Sequence, residues 1–181
     1  MIQYKRLNHT NFNGNSLDSF VRHQEVSECW RCTDGKWALE PTSFVEDWSQ
    51  EKCKEIAADI EIHMENDQSA FGAFDGEKIV GFAILMHSIF GATAKYIQLD
   101  CFQVSEPYRK RGIGKALFAI VCEEARHLGA EKLYISGHSS KESQAAYKAL
   151  GCTHAKEINQ GIATAEPFDV QLEYVLTYST D

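Results

Sequence analysis

Along the chain the apolar positions switch repeatedly between a period of two and a period near 3.6, which predicts strands interleaved with helices. Residues 2–7 alternate and predict a first strand, and residues 8–15, rich in Asn, Thr and Gly, predict a loop. Ser16 stands where a helix N-cap would, ahead of Leu17, Phe20 and Val21 at helical spacing, with Val26 as the outer limit. Residues 28–41 predict a hairpin turning at Asp34-Gly35 and ended by Pro41. Ser49 opens a helix that gathers Ile56, Ile60 and Met64 on one face. Residues 71–74 and 78–86 flank the Asp75-Gly76 turn as a second hairpin, and residues 96–104 predict a further strand. Ile113, Leu117, Ile120, Val121 and Leu128 predict a helix stopped by Gly129. A strand over 132–136, a helix from Ser140 to Leu150 closed by Gly151, and strands over 152–158 and 170–178 complete the pattern. No repeat, linker or low-complexity segment interrupts it, so residues 1–181 predict one mixed α/β domain.

Bulk properties narrow the chemistry. A net charge of −8 argues against a general nucleic-acid partner, which needs a basic face. No apolar run approaches the roughly 18 residues that span a bilayer, and residues 1–6 lack the pattern of a secretory leader, so no membrane partner and a cytoplasmic location are expected. Of the cysteines at 29, 32, 53, 101, 122 and 152, only Cys29 and Cys32 have C-x-x-C spacing. A structural zinc site needs a second pair, and a thioredoxin-like motif needs a helix start, so a structural or incidental pair and no metal are expected. Cys101, Cys122 and Cys152 fall in apolar patterns and read as small core residues.

One stretch carries specific chemistry. After the strand ending at Val104 come Ser105-Glu106-Pro107-Tyr108 and then Arg109-Lys110-Arg111-Gly112-Ile113-Gly114-Lys115, at the start of a helix. N–H groups at a helix start lack intrahelical partners and glycines let a ligand approach the backbone, so this is a phosphate-binding pattern. A dinucleotide fingerprint fails because Leu117 holds the place of the third glycine. A P-loop fails because Arg109 and Ala116 hold the places of the first glycine and the Ser/Thr.

Arg109 to Gly114 does fit R-x-x-G-x-G after a strand and before an apolar helix, and here the chain resembles the GNAT superfamily of N-acetyltransferases. Downstream, Tyr147-Lys148-Ala149-Leu150-Gly151-Cys152 is similar to the family's tyrosine helix, with Cys152 in place of an aromatic and Ala146 in place of Phe. The resemblance implies a central, mostly antiparallel sheet splayed at the cofactor site and flanked by helices, with the hairpin at 28–41 as an insertion between the first two helices. It implies acetyl-CoA as co-substrate, its pyrophosphate on Arg109, Lys110, Arg111, Gly112, Ile113, Gly114 and Lys115, chiefly through the backbone of Arg111, Gly112 and Gly114. The pantetheine arm would pair with backbone at Phe102 and Val104, with the Val104 N–H facing the thioester oxygen. Ser140 holds a place where relatives often contact the cofactor, and equally suits a helix N-cap.

Tyr147 is then the expected acid for the leaving sulfur, against a plain core aromatic. Strand alternation would put Asp100 on the face of Val104, as general base, as a site for the substrate cation, or as a sheet hydrogen-bond partner. His138 would line the same cleft or lie solvated in a turn. Trp30, Trp37, Trp48, Glu166, Asp169 and Glu173 are candidate walls or counter-charges for the acceptor. The expected reaction is acetylation of a primary amine of a small molecule by direct attack. Protein N-acetylation, a non-catalytic acyl-CoA sensor and a longer-chain acyltransferase are the alternatives. The identity of the amine and a homodimer are left open.

Overall fold

The computed structural model describes residues 1–177. Its elements in chain order are β1 (Gln3–Arg6), β2 (His23–Thr33), β3 (Lys36–Asp47), α1 (Gln50–His63), β4 (Gln68–Asp75), β5 (Lys78–Phe90) and β6 (Tyr96–Val104), then α2 (Ile113–His127), β7 (Lys132–Gly137), α3 (Lys141–Leu150), β8 (Thr153–His154), α4 (Gln160–Ala165) and β9 (Val170–Val175). Seven strands form one sheet in the order β1-β4-β5-β6-β7-β9-β8, and β2 and β3 form a separate ribbon. Every strand pair of the main sheet is antiparallel except β6 with β7, which α2 joins as a crossover. The expected mixed α/β architecture with a mostly antiparallel sheet is present.

Each face of the sheet carries its own core. On one face α2 buries Ile113, Leu117, Phe118, Val121 and Ala125 against Val80, Ala83, Leu85, Ile97, Leu99 and Leu133. On the other, α1 buries Cys53, Ala57 and Ile60 against Ala70, Phe74, Phe82 and Ile84. Each large apolar side chain removed from water in this way contributes about 1.5–3 kcal/mol. Both helices begin and end where the sequence signals: Ser49 Oγ caps α1, and α2 stops just before Gly129.

Four expectations are corrected. Residues 16–22 do not form a helix. The side chains of Asn8, Asn11, Asn13 and Ser16 bond nearby backbone N–H groups and hold the segment in successive turns, outcompeting helical bonds, while Leu17 and Phe20 still reach the core. The hairpin is far longer than 28–41, and Pro41 lies inside β3. A register shift between Val26 and Glu28 on the partner strand marks the irregularity, and an edge strand of a two-stranded ribbon tolerates a missing donor. Between 152 and 158 only β8 pairs, and the Asn159-capped helix α4 follows, which the apolar pattern did not mark. The last strand ends at Val175, and residue 178 of the expected strand lies outside the described residues.

Glu173 on β9 is 1% exposed and accepts hydrogen bonds from Tyr96 Oη at 2.5 Å, Lys132 Nζ at 2.8 Å and the Lys156 N–H at 3.0 Å. It is therefore a structural charge of the sheet and not a counter-charge for an acceptor. Breaking such a pair leaves an uncompensated buried charge, which costs about 3–5 kcal/mol. Lys132→Met is expected to lose about that much stability in urea unfolding, and an unchanged midpoint would contradict the assignment.

Candidate active site

The sheet opens between β6 and β7. Parallel pairing is confined to Tyr96, Ile97 and Gln98 with Lys132, Leu133 and Tyr134, although β6 runs on to Val104 and β7 to Gly137. On its other side β6 stays paired to β5 as far as Gly81 with Val104. The Ser105 N–H donates to the Val80 carbonyl, toward β5, at 2.9 Å. Backbone groups alternate direction along an antiparallel strand, so those of Phe102 and Val104 point the opposite way, into the opening. The free edge expected from the resemblance is thus present at the Phe102 backbone and the Val104 N–H, while the Val104 carbonyl is taken by Arg109 Nε.

The loop after β6 supplies a second run of free donors. Glycine at 112 has φ 80° and caps α2, and Lys110, a non-glycine, is held at φ 61°. Backbone held in this sparsely populated region tends to cluster at ligand sites. The first intrahelical bond runs from the Ala116 N–H to the Gly112 carbonyl, and among the described residues the N–H groups of 110–115 have no internal acceptor. A Cβ built on Gly112 would meet nothing within 4 Å, and one on Gly114 would stand 3.5 Å from Phe102 and 3.7 Å from Val104, so the loop lies against the open strand edge. Ile113 is 2% exposed and anchors the loop in the core, so it contributes through its N–H alone.

The cations are less available than their sequence suggests. Arg109 turns inward, with Nε donating to the Val104 carbonyl at 3.1 Å and Nη1 to the His23 carbonyl at 2.7 Å. It ties the strand end to the start of β2. Arg111 lies over the Tyr108 ring at 5.0 Å, whose hydroxyl donates to Asp75. Lys110 and Lys115 make no ion pair among the described residues.

Tyr147 projects from α3 across the opening. Its ring centroid is 6.4 Å from that of Phe102 on β6, and a Cβ on Gly137 at the end of β7 would lie 3.0 Å from its ring. Glycine at 137 is therefore what lets the ring close over the strand. Burial pushes the phenol pKa well up, aided by Cys101, Cys152, Asp169 and Glu166, so it keeps its proton at neutral pH. Its hydroxyl makes no hydrogen bond within the described residues. Ser140, by contrast, is fully buried; its Oγ caps α3 through the Ser143 N–H and accepts from Gln24 Nε2 at 2.8 Å. The N-cap alternative describes it, and the hydroxyl is committed away from a cofactor.

Asp100 departs from the expected face. Ile84 pairs with Cys101 while Leu85 pairs with Leu99, so Asp100 is the extra residue of a β-bulge. The bulge reverses the alternation: Ile97 and Leu99 share a face with Phe102 and Val104, and Cys101 packs on the α1 side. Asp100 consequently lies at the bulge and off the face of Val104. Gln98 Nε2 donates to it at 2.9 Å, and partial burial, then Glu166 and Asp59, hold its carboxyl above the usual range.

The hairpin straps the mouth of the opening. Its approach is fixed to the end of β6 by Val21 N–H to Ser105 Oγ and Glu106 N–H to the Val21 carbonyl. Its middle is fixed beyond β7 by Trp30 N–H to the Ser139 carbonyl and Arg31 Nη1 to Ser139 Oγ. Under the strap, Arg31, Phe44, Glu46, His138, Phe168 and Asp169 line a cavity of about 340 Å³. His138 is not a free base: Nδ1 accepts from the Ser140 N–H and Nε2 faces Glu46 Oε1 at 3.2 Å, while burial lowers its pKa. The other oxygen of Glu46 takes Arg22 Nη2 at 2.8 Å, and the buried Arg22 Nε and Nη1 have no partner among the described residues. Neither Glu46 nor Arg22 carries any sequence signal, since both lie outside a motif. Trp30 and Trp37 line a second cavity, of about 540 Å³, beside α3, and Trp48 packs on Phe20 and Phe82 in the core. Cys29 is buried and Cys32 exposed, as three-residue spacing on a strand dictates.

The profile of the acetyltransferase (GNAT) family matches residues 30–152. Among solved structures, nourseothricin acetyltransferase superposes with a TM-score of 0.68 at 14% identity, covering 97% of this chain and 99% of that one. A Bacillus anthracis protein described as a streptothricin acetyltransferase, in complex with acetyl coenzyme A, gives 0.65 at 16% identity over 99% of both chains. The PaiA N-acetyltransferase of Thermoplasma acidophilum, in complex with coenzyme A, gives 0.61 at 16% identity, covering 97% and 99%. No curated protein matches in sequence. At these identities the superpositions establish the fold. Arg109→Met is expected to speed amide hydrogen exchange at residues 21–24 and 104–106 together, since one guanidinium ties both; unchanged protection there would remove the tie.

Proposed function

The chain belongs to the GNAT family of acetyltransferases, and from that premise we propose that it moves an acetyl group from acetyl-CoA to a primary amine of a small molecule by direct attack. The observation that supports this most is the meeting of two backbone surfaces with free groups, the N–H run at 110–115 and the β6 edge, where the Phe102 backbone and the Val104 N–H face the opening while Arg109 takes the Val104 carbonyl. The first fits a pyrophosphate, because successive N–H groups at a helix start favour an anion. The second fits an arm bearing amides, because a free strand edge pairs with peptide-like groups. Bound acetyl-CoA supplies an activated acyl carbon and a thiolate leaving group. Lys110, Arg111 and Lys115 add charge attraction, and Arg109 fixes the strand edge against the loop.

The Val104 N–H is placed to receive the negative charge that develops on the thioester oxygen. Tyr147 serves the departing sulfur. Its raised pKa lies above the roughly 8.5 of an ordinary thiol, so it acts by donating a hydrogen bond to the thiolate rather than by surrendering its proton outright. On the other face, Asp100, Glu166 and Asp169 make an acidic approach suited to an ammonium group. The Bacillus anthracis and nourseothricin enzymes of the same fold are acetyltransferases named for small-molecule antibiotics, which favours a small-molecule acceptor over a protein terminus.

The test is thiol release from acetyl-CoA across a panel of small amines. Tyr147→Phe is expected to lower kcat about 100-fold, the lower range for losing one hydrogen-bond donor to charge that develops in the transition state, with an unchanged Kd for coenzyme A. Equal kcat would remove Tyr147 from the mechanism. Coenzyme A binding without turnover of any amine would favour a sensor.

A further inference from the structure

Three carboxylates on the acidic side of the opening, Asp100, Glu166 and Asp169, make no ion pair among the described residues, and of these only Asp169 is half-buried, the other two being exposed. Asp169 stands one residue before β9, whose first residue, Val170, pairs with Gly137 at the end of β7. That register sets Asp169 on the β7 side of the opening, next to the glycine over which Tyr147 closes. It is half-buried and forms part of the wall of the strap cavity of about 340 Å³. The groups around it are Glu46 from β3, Glu166 beyond α4, His138 from the turn after β7, Arg31 from β2 and the Ser136 hydroxyl of β7.

The bonds that the nearby cations make run to other groups, and the partnerless Nε and Nη1 of Arg22 are buried. Arg31 Nη1 donates to the Trp30 carbonyl and to Ser139 Oγ, and its guanidinium lies over Phe168 at 5.6 Å. Arg22 goes to Glu46, and both ring nitrogens of His138 are engaged. Among the described residues Asp169 has no ion pair. Asp100, across the opening, is exposed and takes the amide of Gln98. Desolvation raises the proton affinity of both carboxylates, but Asp169 forms part of a cavity wall and is the less open to water, which suits it better to take a proton inside the site.

We propose that Asp169 is the general base of the transfer, accepting a proton from the acceptor ammonium while Asp100 and Glu166 hold that ammonium at the bulge. This rests on the acetyl-transfer reading above. One ammonium proton passes to the Asp169 carboxylate and the freed nitrogen pair forms the C–N bond. The C–S bond breaks with its electrons on sulfur, held by the Tyr147 hydroxyl, and the nitrogen releases its second proton to water. The thiolate takes one proton back from water and Asp169 returns its own, so the net products are the amide, the thiol and one proton. Burial, then Glu166 and Glu46, push the Asp169 carboxyl up to about 6, opposed by Ser136. It is therefore ionised at neutral pH and loses its accepting form as pH falls below about 6.

The experiment compares wild type, Asp169→Asn and Asp100→Asn on two acceptors, an aliphatic amine and a weakly basic amine already neutral at pH 7.5. With the aliphatic amine, Asp169→Asn is expected to lower kcat/KM about 100-fold and to abolish the acid limb near pH 6. Its rate should instead rise tenfold per pH unit as free amine accumulates. With the weakly basic amine the loss should shrink to a few-fold, because no proton need be removed before attack. Asp100→Asn should keep the acid limb and raise KM. An unchanged coenzyme A Kd would confirm that the isosteric variant keeps its fold. Equal losses on both acceptors, or a retained acid limb, would overturn the base assignment alone. No turnover of either amine or of the wider panel by wild type would overturn the acetyl-transfer reading and the assignment with it.

Discussion

A backbone N–H or C=O left without a partner away from water costs about 1–3 kcal/mol, and folded chains seldom leave several side by side. This protein leaves two such runs together, the edge of β6 at Phe102 and Val104 and the N–H groups of residues 110–115. Much of the surrounding structure keeps them apart from internal partners. β7 stops pairing with β6 after Gln98, α2 begins at an αL glycine that aims its first turn outward, and Arg109 pins the strand end beside the loop. Lys110, Arg111, Gly112 and Lys115 are exposed, so water meets their N–H groups in the free protein and a ligand with acceptors would replace it.

The two faces of that gap carry different chemistry. Phe102, Val104, Gly114 and Tyr147 meet on the α2 and α3 side, an apolar surface with one protonated phenol. Asp100, Glu166 and Asp169 make the other approach acidic. The bulge at Asp100 divides them, because an extra residue in β6 sends Asp100 and Cys101 to the side opposite Phe102. An anion-binding loop and an ammonium-binding wall can thus share one strand without neutralising each other.

What was legible in the sequence is what local physics dictates. Gly112 marks the loop because its αL cap favours glycine, and Gly114 follows it in the first turn of α2. Gly151 marks the end of α3 by the same local rule, whereas Tyr147 stands out only through the family resemblance. The only sequence mark of the bulge is a slip in the apolar positions, from Ile97 and Leu99 to Phe102 and Val104, which simple alternation through Asp100 ignores, and pairing with β5 places the extra residue. Arg109 read as a phosphate ligand from its neighbours, whereas the His23 and Val104 carbonyls that capture it are set by tertiary structure. The hairpin was legible only over 28–41 because Pro41 looked like a terminator, and its anchoring was not legible because the carbonyl and hydroxyl of Ser139, far along the chain, are what hold it. Glu173 looked available until Lys132 and Tyr96 closed on it.

The central claim is that the free backbone of Phe102, the Val104 N–H and the N–H groups of 110–115 receive coenzyme A. It is tested most directly by titrating coenzyme A into ¹⁵N-labelled protein and following each amide. The account predicts the largest shifts at Phe102, Val104 and residues 110–115, with downfield movement as those N–H groups gain acceptors, and small shifts around Trp37 and His154 beside the second cavity. Saturable binding that moves the amides near Trp37 and His154 and leaves those of 110–115 in place would contradict it.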